Sequence, residues 1–430
     1  DDNKIDQIKN IFKYSNLVFL QGGPGTGKTT LIINLILELL RIDNFLNIGL
    51  SAPTGKATAR LKEALNDKKN ISFSKFLDQI EFQTLHRWIL NSQNKSLKLK
   101  FKLKELDIFI IDEMSMVNID LIESVLNLLA KDCKIILVGD KNQLSPVNNC
   151  SIWNYLFEYC ENSSIKSCVV NLEKTYRNIG DIALISSLIF NNDFSLLNQK
   201  IKELEKDNNS KEITISKSRE KDIPKDLLFS ITSHLKQLNI STSNLSKKKY
   251  IFDESIDNLL LNEKDLVDKI FLDLQSHLIL CEKNSGIWSV EYLNEIVFGQ
   301  KKPYDLKTLK EGVPIMCTKN NNELGLSNGD IGVLIGLKNK RKYLFRKFND
   351  NNEEIVALID PSNLENVVPA IAITIHKSQG SESEKVNILW SQNYRRNQYA
   401  VKEKKDNQNI FCRDNFERRL FYTAVTRAKK

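Results

Sequence analysis

Four short apolar runs punctuate the first 150 residues: Leu17–Leu20, Ile48–Ser51, Ile108–Ile111 and Ile135–Val138. Each is followed by a segment rich in Gly, Pro, Thr or Asp, and helical stretches lie between them. Runs that short and that apolar predict strands buried on both faces, and the alternation predicts an α/β unit on a parallel sheet. Ligands of such sheets sit at the carboxyl ends of the strands, so the polar residues after each run should converge. Leu97, Leu99, Phe101 and Leu103 alternate with Lys98, Lys100, Lys102 and Lys104. This predicts a half-exposed strand, one arm of a small hairpin over 91–104 that turns near Asn91–Asn94. A merely solvated strand face accounts for the lysine row equally well.

Further along, 193–265 is rich in Lys, Asn and Ser and predicts helices with solvated connections. From 308 to 366 the chain becomes β-rich, punctuated by Gly312, Gly325, Gly329, Gly332 and Gly336, which suggests a small antiparallel barrel. Strand character returns at Ala370–Ile375, and a last helix is expected over Asp414–Lys430. A length of 430 residues predicts two to four domains.

Composition narrows the class only a little. The excess of 62 basic over 54 acidic residues, +8 in net charge, permits a polyanionic partner without demanding one. Cys133, Cys150, Cys160, Cys168, Cys281, Cys317 and Cys412 show no C-x-x-C spacing, which argues against a disulfide frame or a zinc site and for a reducing cytosol. The most apolar stretch, Leu31–Leu40, carries Asn34 and Glu38 and is too short to span a bilayer, so no membrane role is expected. The chain starts at Asp1 rather than Met, and a preceding segment is expected.

The chemistry begins at Gly22-Gly23-Pro24-Gly25-Thr26-Gly27-Lys28-Thr29-Thr30, which fits G-x-x-x-x-G-K-[ST] directly after an apolar run and before a helical one. Glycines let successive N–H groups point into one concavity, and the following helix adds its positive end. Lys28 is placed to reach the β/γ-phosphates of ATP, and Thr29 to ligate Mg²⁺. Asp112 and Glu113 emerge at the end of the Ile108–Ile111 run. Alone they would read as a helix-capping pair. Beside a P-loop they read as a magnesium-holding carboxylate, Asp112, and a general base, Glu113.

With these sites in place, the segments GGPGTGKTT, SAPTGKATARL, TLHRW, IIDEMSMV, LVGDKNQLSPV, EKTYR, LGLSNGDIGV, ITIHKSQGSE and LFYTAVTRAKK follow the motif order of superfamily 1 helicases. In that combination the chain resembles the RecD-like motors, typified by the 5′-to-3′ motor subunit of the bacterial RecBCD helicase–nuclease (exodeoxyribonuclease V). The resemblance implies an α/β fold of two RecA-like P-loop motor domains with an SH3-like β-barrel inserted in the second. The expected boundaries are 1–170, then 171–307 with 367–430, and 308–366 for the insertion.

It also implies roles for particular residues. Gln143 would touch the γ-phosphate or its water, although unaided it reads as a loop glutamine. Tyr176 would stack on adenine, with Gln7 as an adenine reader, and Arg177 and Arg427 would reach the γ-phosphate. Gly380 and Glu382 resemble phosphate- and ribose-side contacts. For single-stranded DNA, Pro53, Thr54, Gly55, Lys56, Thr84, His86 and Arg87 form one group, and Thr374, His376, Lys377 and Ser378 another. Small donors of this kind suit phosphates, which need positioning but carry no sequence code. Tyr394, Arg395, Arg396 and Tyr399 interleave rings with cations and read better as a charged loop. The expected function is an ATP-dependent 5′-to-3′ DNA helicase, acting on single-stranded and duplex-end DNA with RecB- and RecC-like subunits in a bacterial cytoplasm. Nuclease chemistry is expected in a partner. A free-standing RecD-like DNA helicase, an RNA helicase and a non-hydrolysing nucleotide-gated scaffold are the alternatives.

Overall fold

In the computed structural model, the residues described are 2–66, 79–93, 100–145, 152–163, 167–174, 180–206, 212–219, 222–248, 263–321, 323–336, 340–348, 354–390 and 415–429. They divide into two units, Asp1–Ile179 and Gly180–Lys430. The first unit orders α1 (Asp2–Ile11), β1 (Leu17–Gly22), α2 (Lys28–Ile42), β2 (Ile48–Ala52), α3 (Gly55–Asn66), β3 (Ile80–Thr84) and α4 (Leu85–Gln93). It continues with β4 (Ile108–Ile111), α5 (Ile119–Leu126), β5 (Lys134–Gly139), α6 (Ile152–Glu161) and β6 (Val169–Leu172). The sheet order is β3-β2-β4-β5-β1-β6, parallel throughout. This is the expected α/β class with a parallel sheet.

The reason lies in the strand composition. Val18, Leu20, Leu50, Phe109, Ile110, Ile111, Ile136 and Val138 are buried, so both faces of the sheet are covered. Each such side chain withdraws from water for about 1.5–3 kcal/mol. On α1, Ile5, Ile8 and Ile11 recur at helical spacing and enter the same core, while Lys9 pairs with Glu38 of α2. Two strands were not foreseen. In β3, Glu81 and Gln83 are buried and bonded to each other at 2.9 Å, so an edge strand hides a polar pair behind a short pattern. β6 pairs with β1, which carries the first unit past the boundary expected at residue 170.

The hairpin expected at 91–104 falls largely on 94–99, outside the described residues; on either side of them the described residues form no strand. Asn91 is buried on α4, and Leu103 is buried in a 3-10 turn over Leu103–Glu105. The Leu103 N–H donates to Ser92 Oγ at 3.1 Å, and the Lys102 N–H donates to Glu105 Oε2 at 3.0 Å. At its described end the alternating segment is thus a capped turn that buries Leu103. Lys98, Leu97 and Leu99 lie outside the described residues.

The second unit begins with α7 (Asp181–Phe190), α8 (Phe194–Lys206), α9 (Lys225–Ser246) and α10 (Lys264–Gln275), followed by β7 (His277–Cys281) and α11 (Val290–Phe298). Five strands follow: β8 (Pro314–Cys317), β9 (Ile331–Ile335), β10 (Lys342–Phe348), β11 (Glu354–Ile359) and β12 (Val367–Pro369). They form an antiparallel sheet of order β11-β10-β9-β8-β12. Then β13 (Ile373–Thr374) and β14 (Lys385–Leu389) flank β7 in a second parallel sheet, and α12 spans Asn415–Val425. The strand expected over Ala370–Ile375 is shorter than foreseen. The Ala370 N–H still serves β8 through Pro314 O, and after Thr374 the chain winds into a 3-10 turn over Ile375–Ser378.

The antiparallel sheet is buried on both faces. Val333, Ile335, Leu344 and Val356 face α9 and α10 with Leu245, Ile270 and Phe271, whereas Leu334, Tyr343, Phe345 and Ala357 point to a separate core. Arg346 pairs with Asp268 and lies 4.5 Å from the Phe271 ring centroid. Glu311 receives the Gly336 N–H at 2.9 Å together with the Ser243 and Ser246 hydroxyls of α9. Gly312, at φ +87°, passes so close to α9 that a Cβ would meet Asn239 N at 2.5 Å.

Beside that junction, His234 of α9 meets His277 edge-on at 5.0 Å between centroids. Burial, then His277, lowers His234 from 6.5 to about 4, against the pull of Asp273. Burial also lowers His277, against the hydrogen bond its ring donates to Asn387 Oδ1. The unfolded chain therefore binds protons first as pH falls, so this contribution to stability is complete above the unfolded pKa of about 6.5 and lost toward 4. Thermal unfolding should show the midpoint falling from pH 7 to pH 5, with a shallower fall in His234→Leu. Parallel slopes in the two proteins would exclude the histidine pair as the cause.

Candidate functional site: the carboxyl edge of the first sheet

A parallel sheet ends all its strands at one edge, and there the described motifs that follow β1 to β5 gather. Gly22 ends β1; Pro53 and Thr54 follow β2; Thr84 ends β3; Asp112 and Glu113 follow β4; Asp140–Gln143 follows β5. The P-loop is shaped by Gly25 and Gly27 at φ +73° and +82°, a left-handed backbone natural to glycine. At Gly22 a Cβ would lie 2.6 Å from Thr26 Oγ1, and that hydroxyl is itself engaged, donating to Gly23 O at 2.8 Å. The Lys28 ammonium donates to Gly22 O at 2.7 Å and Gly23 O at 2.9 Å, which folds it over the loop. Thr29 lies half-buried in the first turn of α2, next to exposed Thr30, and Pro24 is half-buried in the loop itself.

Asp112 is buried, and its backbone N–H donates to Ser51 O at 2.8 Å. Burial, then the adjacent Glu113 carboxylate, raises it to about 6 against Lys28 and Arg60. Glu113 sits at φ +55°, a left-handed conformation costing on the order of 1–3 kcal/mol for a residue with a side chain. Its N–H donates to Asp112 Oδ1 and its carbonyl accepts the Met116 N–H at 2.9 Å, so the strained residue is held on both sides.

Gln143 Oε1, Ser51 Oγ and Ser115 Oγ are buried with no hydrogen-bond partner among the described residues. All three follow or end strands at this edge. Unsatisfied buried oxygens cost about 1–3 kcal/mol each. A glycine-lined cradle, an adjacent cation, a buried carboxylate and orphaned acceptors fit a triphosphate with Mg²⁺, and Thr29 and Asp112 are the residues able to hold the ion.

The nucleic-acid candidates divide. Thr54 Oγ1 accepts the Ala57 N–H at 3.2 Å and Thr84 Oγ1 accepts the Arg87 N–H at 3.4 Å, so both cap helices. Capping occupies the oxygen as an acceptor and leaves its O–H to donate. Gly55 is half-buried and His86 exposed, while the Lys56 side chain lies outside the described set.

In the second unit Thr374 ends β13 beside Cys281 of β7, and His376 stacks near Phe416 at 5.9 Å. Burial lowers His376; burial and then Lys302 lower Lys377. The Ser378 hydroxyl is turned back onto Ile375 O at 2.7 Å. Gly380, at φ +73°, precedes a segment bound to Arg427. That arginine is buried, its guanidinium donating to Thr423 O at 3.0 Å and Ser381 O at 3.3 Å. Glu382 is half-buried in the same segment. Gln7 is half-buried on α1. Tyr176, Arg177, Tyr394, Arg395, Arg396 and Tyr399 lie outside the described residues.

Sequence reasoning passed over Ser51, Ser115, Gln21 and Trp153. The signal for Gln21 was one amide closing an otherwise apolar strand, which must find partners when buried. Gly22→Ala should weaken nucleotide binding about tenfold or more through an overpacking cost of about 1–3 kcal/mol, with circular dichroism unchanged. Titration with a fluorescent nucleotide checks this, and unchanged affinity would show that the loop does not cradle phosphate.

A family model described as an AAA domain matches residues 7–149. RecBCD enzyme subunit RecD of Buchnera aphidicola subsp. Schizaphis graminum is 31% identical over 461 residues, covering 97% of this chain and 69% of that protein. The subunit of the same name from Buchnera aphidicola subsp. Acyrthosiphon pisum is 30% identical, again covering 97% of this chain and 69% of that protein. The ATP-dependent RecD2 DNA helicase of Deinococcus radiodurans is 34% identical over 134 residues, 31% of this chain and 16% of that one. With its glycine-rich loop and paired carboxylates at one sheet edge and likeness of that extent along its length, the chain belongs to the RecD family of RecBCD enzyme subunits.

Proposed function

We propose that the chain is the ATP-hydrolysing motor of a DNA helicase that moves 5′ to 3′ on single-stranded DNA. It would work within a cytoplasmic RecBCD-type heterotrimer, with RecB- and RecC-like subunits, on duplex ends during break repair. The observation that carries this reading is the convergence of Lys28, Asp112, Glu113 and Gln143 on one sheet edge. Lys28 exchanges two loop carbonyls for phosphate oxygens, which form stronger charge-assisted bonds. Glu113 takes the proton of the attacking water, and its held backbone fixes the carboxylate's direction. Gln143 supplies its amide to the γ-phosphate side. A magnesium ion at Thr29 and Asp112 would offset phosphate charge.

Arg177 and Arg427 are proposed as γ-phosphate cations, Tyr176 and Gln7 as adenine contacts, and Gly380 and Glu382 as further nucleotide contacts. The two units are proposed as RecA-like motor domains, with the sheet over 314–369 as the SH3-like insertion. The Thr54–Arg87 and Thr374–Ser378 groups are proposed to grip single-strand phosphates. A free-standing RecD-like helicase is the second reading; the match to the Deinococcus RecD2 DNA helicase supports the helicase activity that both readings share. Co-purification of RecB- and RecC-like subunits with the chain separates the two.

Glu113→Gln should lower ATP turnover about 10²–10⁴-fold with nucleotide affinity retained. Turnover at the level of the unsubstituted chain would remove Glu113 from the chemistry. On tailed duplexes, unwinding should require a 5′ overhang; unwinding from 3′ overhangs alone would reverse the direction. Stronger stimulation of ATPase by RNA than by single-stranded DNA would overturn the DNA reading.

A further inference from the structure

Gln21 is the last residue of β1 before Gly22, and it is buried although polar. Its side-chain oxygen accepts two hydrogen bonds, from the Lys141 N–H at 3.2 Å and from the Trp153 indole N–H at 3.1 Å. Lys141 lies in the loop after β5 that carries Gln143, and Trp153 lies on α6. One amide therefore ties three elements together: the entrance to the P-loop, the β5 loop and α6.

The surroundings are built for that contact. Gln21 and Gly139 are in register across β1 and β5. A Cβ on Gly139 would lie 2.6 Å from the Trp153 ring, so glycine there is what lets the indole reach over the strand end. Phe19 and Phe157 pack against Trp153 at 6.0 and 6.1 Å between centroids, which fixes the ring. The Lys141 ammonium lies 4.9 Å from the centroid of Phe157, so the loop is held by its side chain as well as its backbone. Within the loop, the Asn142 N–H donates to Asp140 Oδ1 at 3.0 Å and the Gln143 N–H to Asp140 O at 3.2 Å. A turn braced in this way has little freedom left once Lys141 is anchored.

We infer that Gln21 and Trp153 are positioning residues that set the β5 loop against the P-loop and so place Gln143 for its work on the γ-phosphate side. The inference rests on the motor reading proposed above. It deepens that reading by naming the residues through which the two loops keep a common frame. Both residues act through Gln143 and neither touches phosphate, so their effect should appear in turnover and depend on Gln143 being present.

Two near-isosteric substitutions test this in the full chain. Gln21→Met removes the acceptor, and Trp153→Phe keeps an aromatic ring but removes the indole N–H. Each should lower kcat of DNA-stimulated ATPase about tenfold, the scale of loss from displacing a reacting group by less than an ångström, with KM for ATP within about twofold. In a Gln143→Ala background the same substitutions should cost nothing further. Unsubstituted kcat in either variant overturns the inference, as does an equal loss with and without Gln143. A rise in KM at unchanged kcat overturns it too, since that would mark a contribution to nucleotide binding alone. Absence of DNA-stimulated ATPase in the unsubstituted chain overturns the motor reading and this inference with it.

Discussion

A parallel ladder has two unlike ends, and the first unit is organised by that fact. Six strands running one way deliver their carboxyl ends, with the loops after them, to a single edge. The strands can run together only because both faces are covered, and the central strands are covered because their interior positions are mostly apolar. Core packing and site assembly thus have one cause. Residues as distant in sequence as Gly22 and Gln143 are brought to one edge by the run of the strands themselves.

Polar groups at that edge are of two kinds. Some are satisfied by local capping, as with Thr54 and Thr84, whose oxygens terminate helices. Others are buried without a partner among the described residues, as with Gln143 Oε1 and Ser51 Oγ. Low dielectric surroundings make the second kind costly and also make any bond they form with a ligand strong. Glu113 adds a third device, a left-handed backbone held by its neighbours. This edge thus carries costs of burial and strain that the core beneath it does not.

The apolar strands, the P-loop and the Asp112-Glu113 pair were legible in the sequence because each depends on residues close together in the chain. What was misread depends on distant partners. Leu103 reads as a strand residue from its alternation, but it sits in a turn, and its N–H donates to Ser92 at the end of α4. Glu81 and Gln83 satisfy each other across a strand that reads as polar. Gln21 finds its partners 120 and 132 positions away, so nothing local announces its role. In the second unit, Ala370 belongs to the antiparallel sheet through Pro314 O, which shortens the parallel strand that its sequence suggests.

Glu311 and Gly312 give the antiparallel sheet a mechanical character. An inserted module on two linkers would swivel and absorb load as slack. Here a carboxylate gathers donors from α9 and from the turn after β9, an arginine clamps β10 to α10, and the chain passes α9 too closely for any side chain. The helix α10 leads directly into β7, the central strand of the second parallel sheet. The antiparallel sheet is thereby tied to the helix that feeds β7, and β7 pairs with the strand that ends at Thr374.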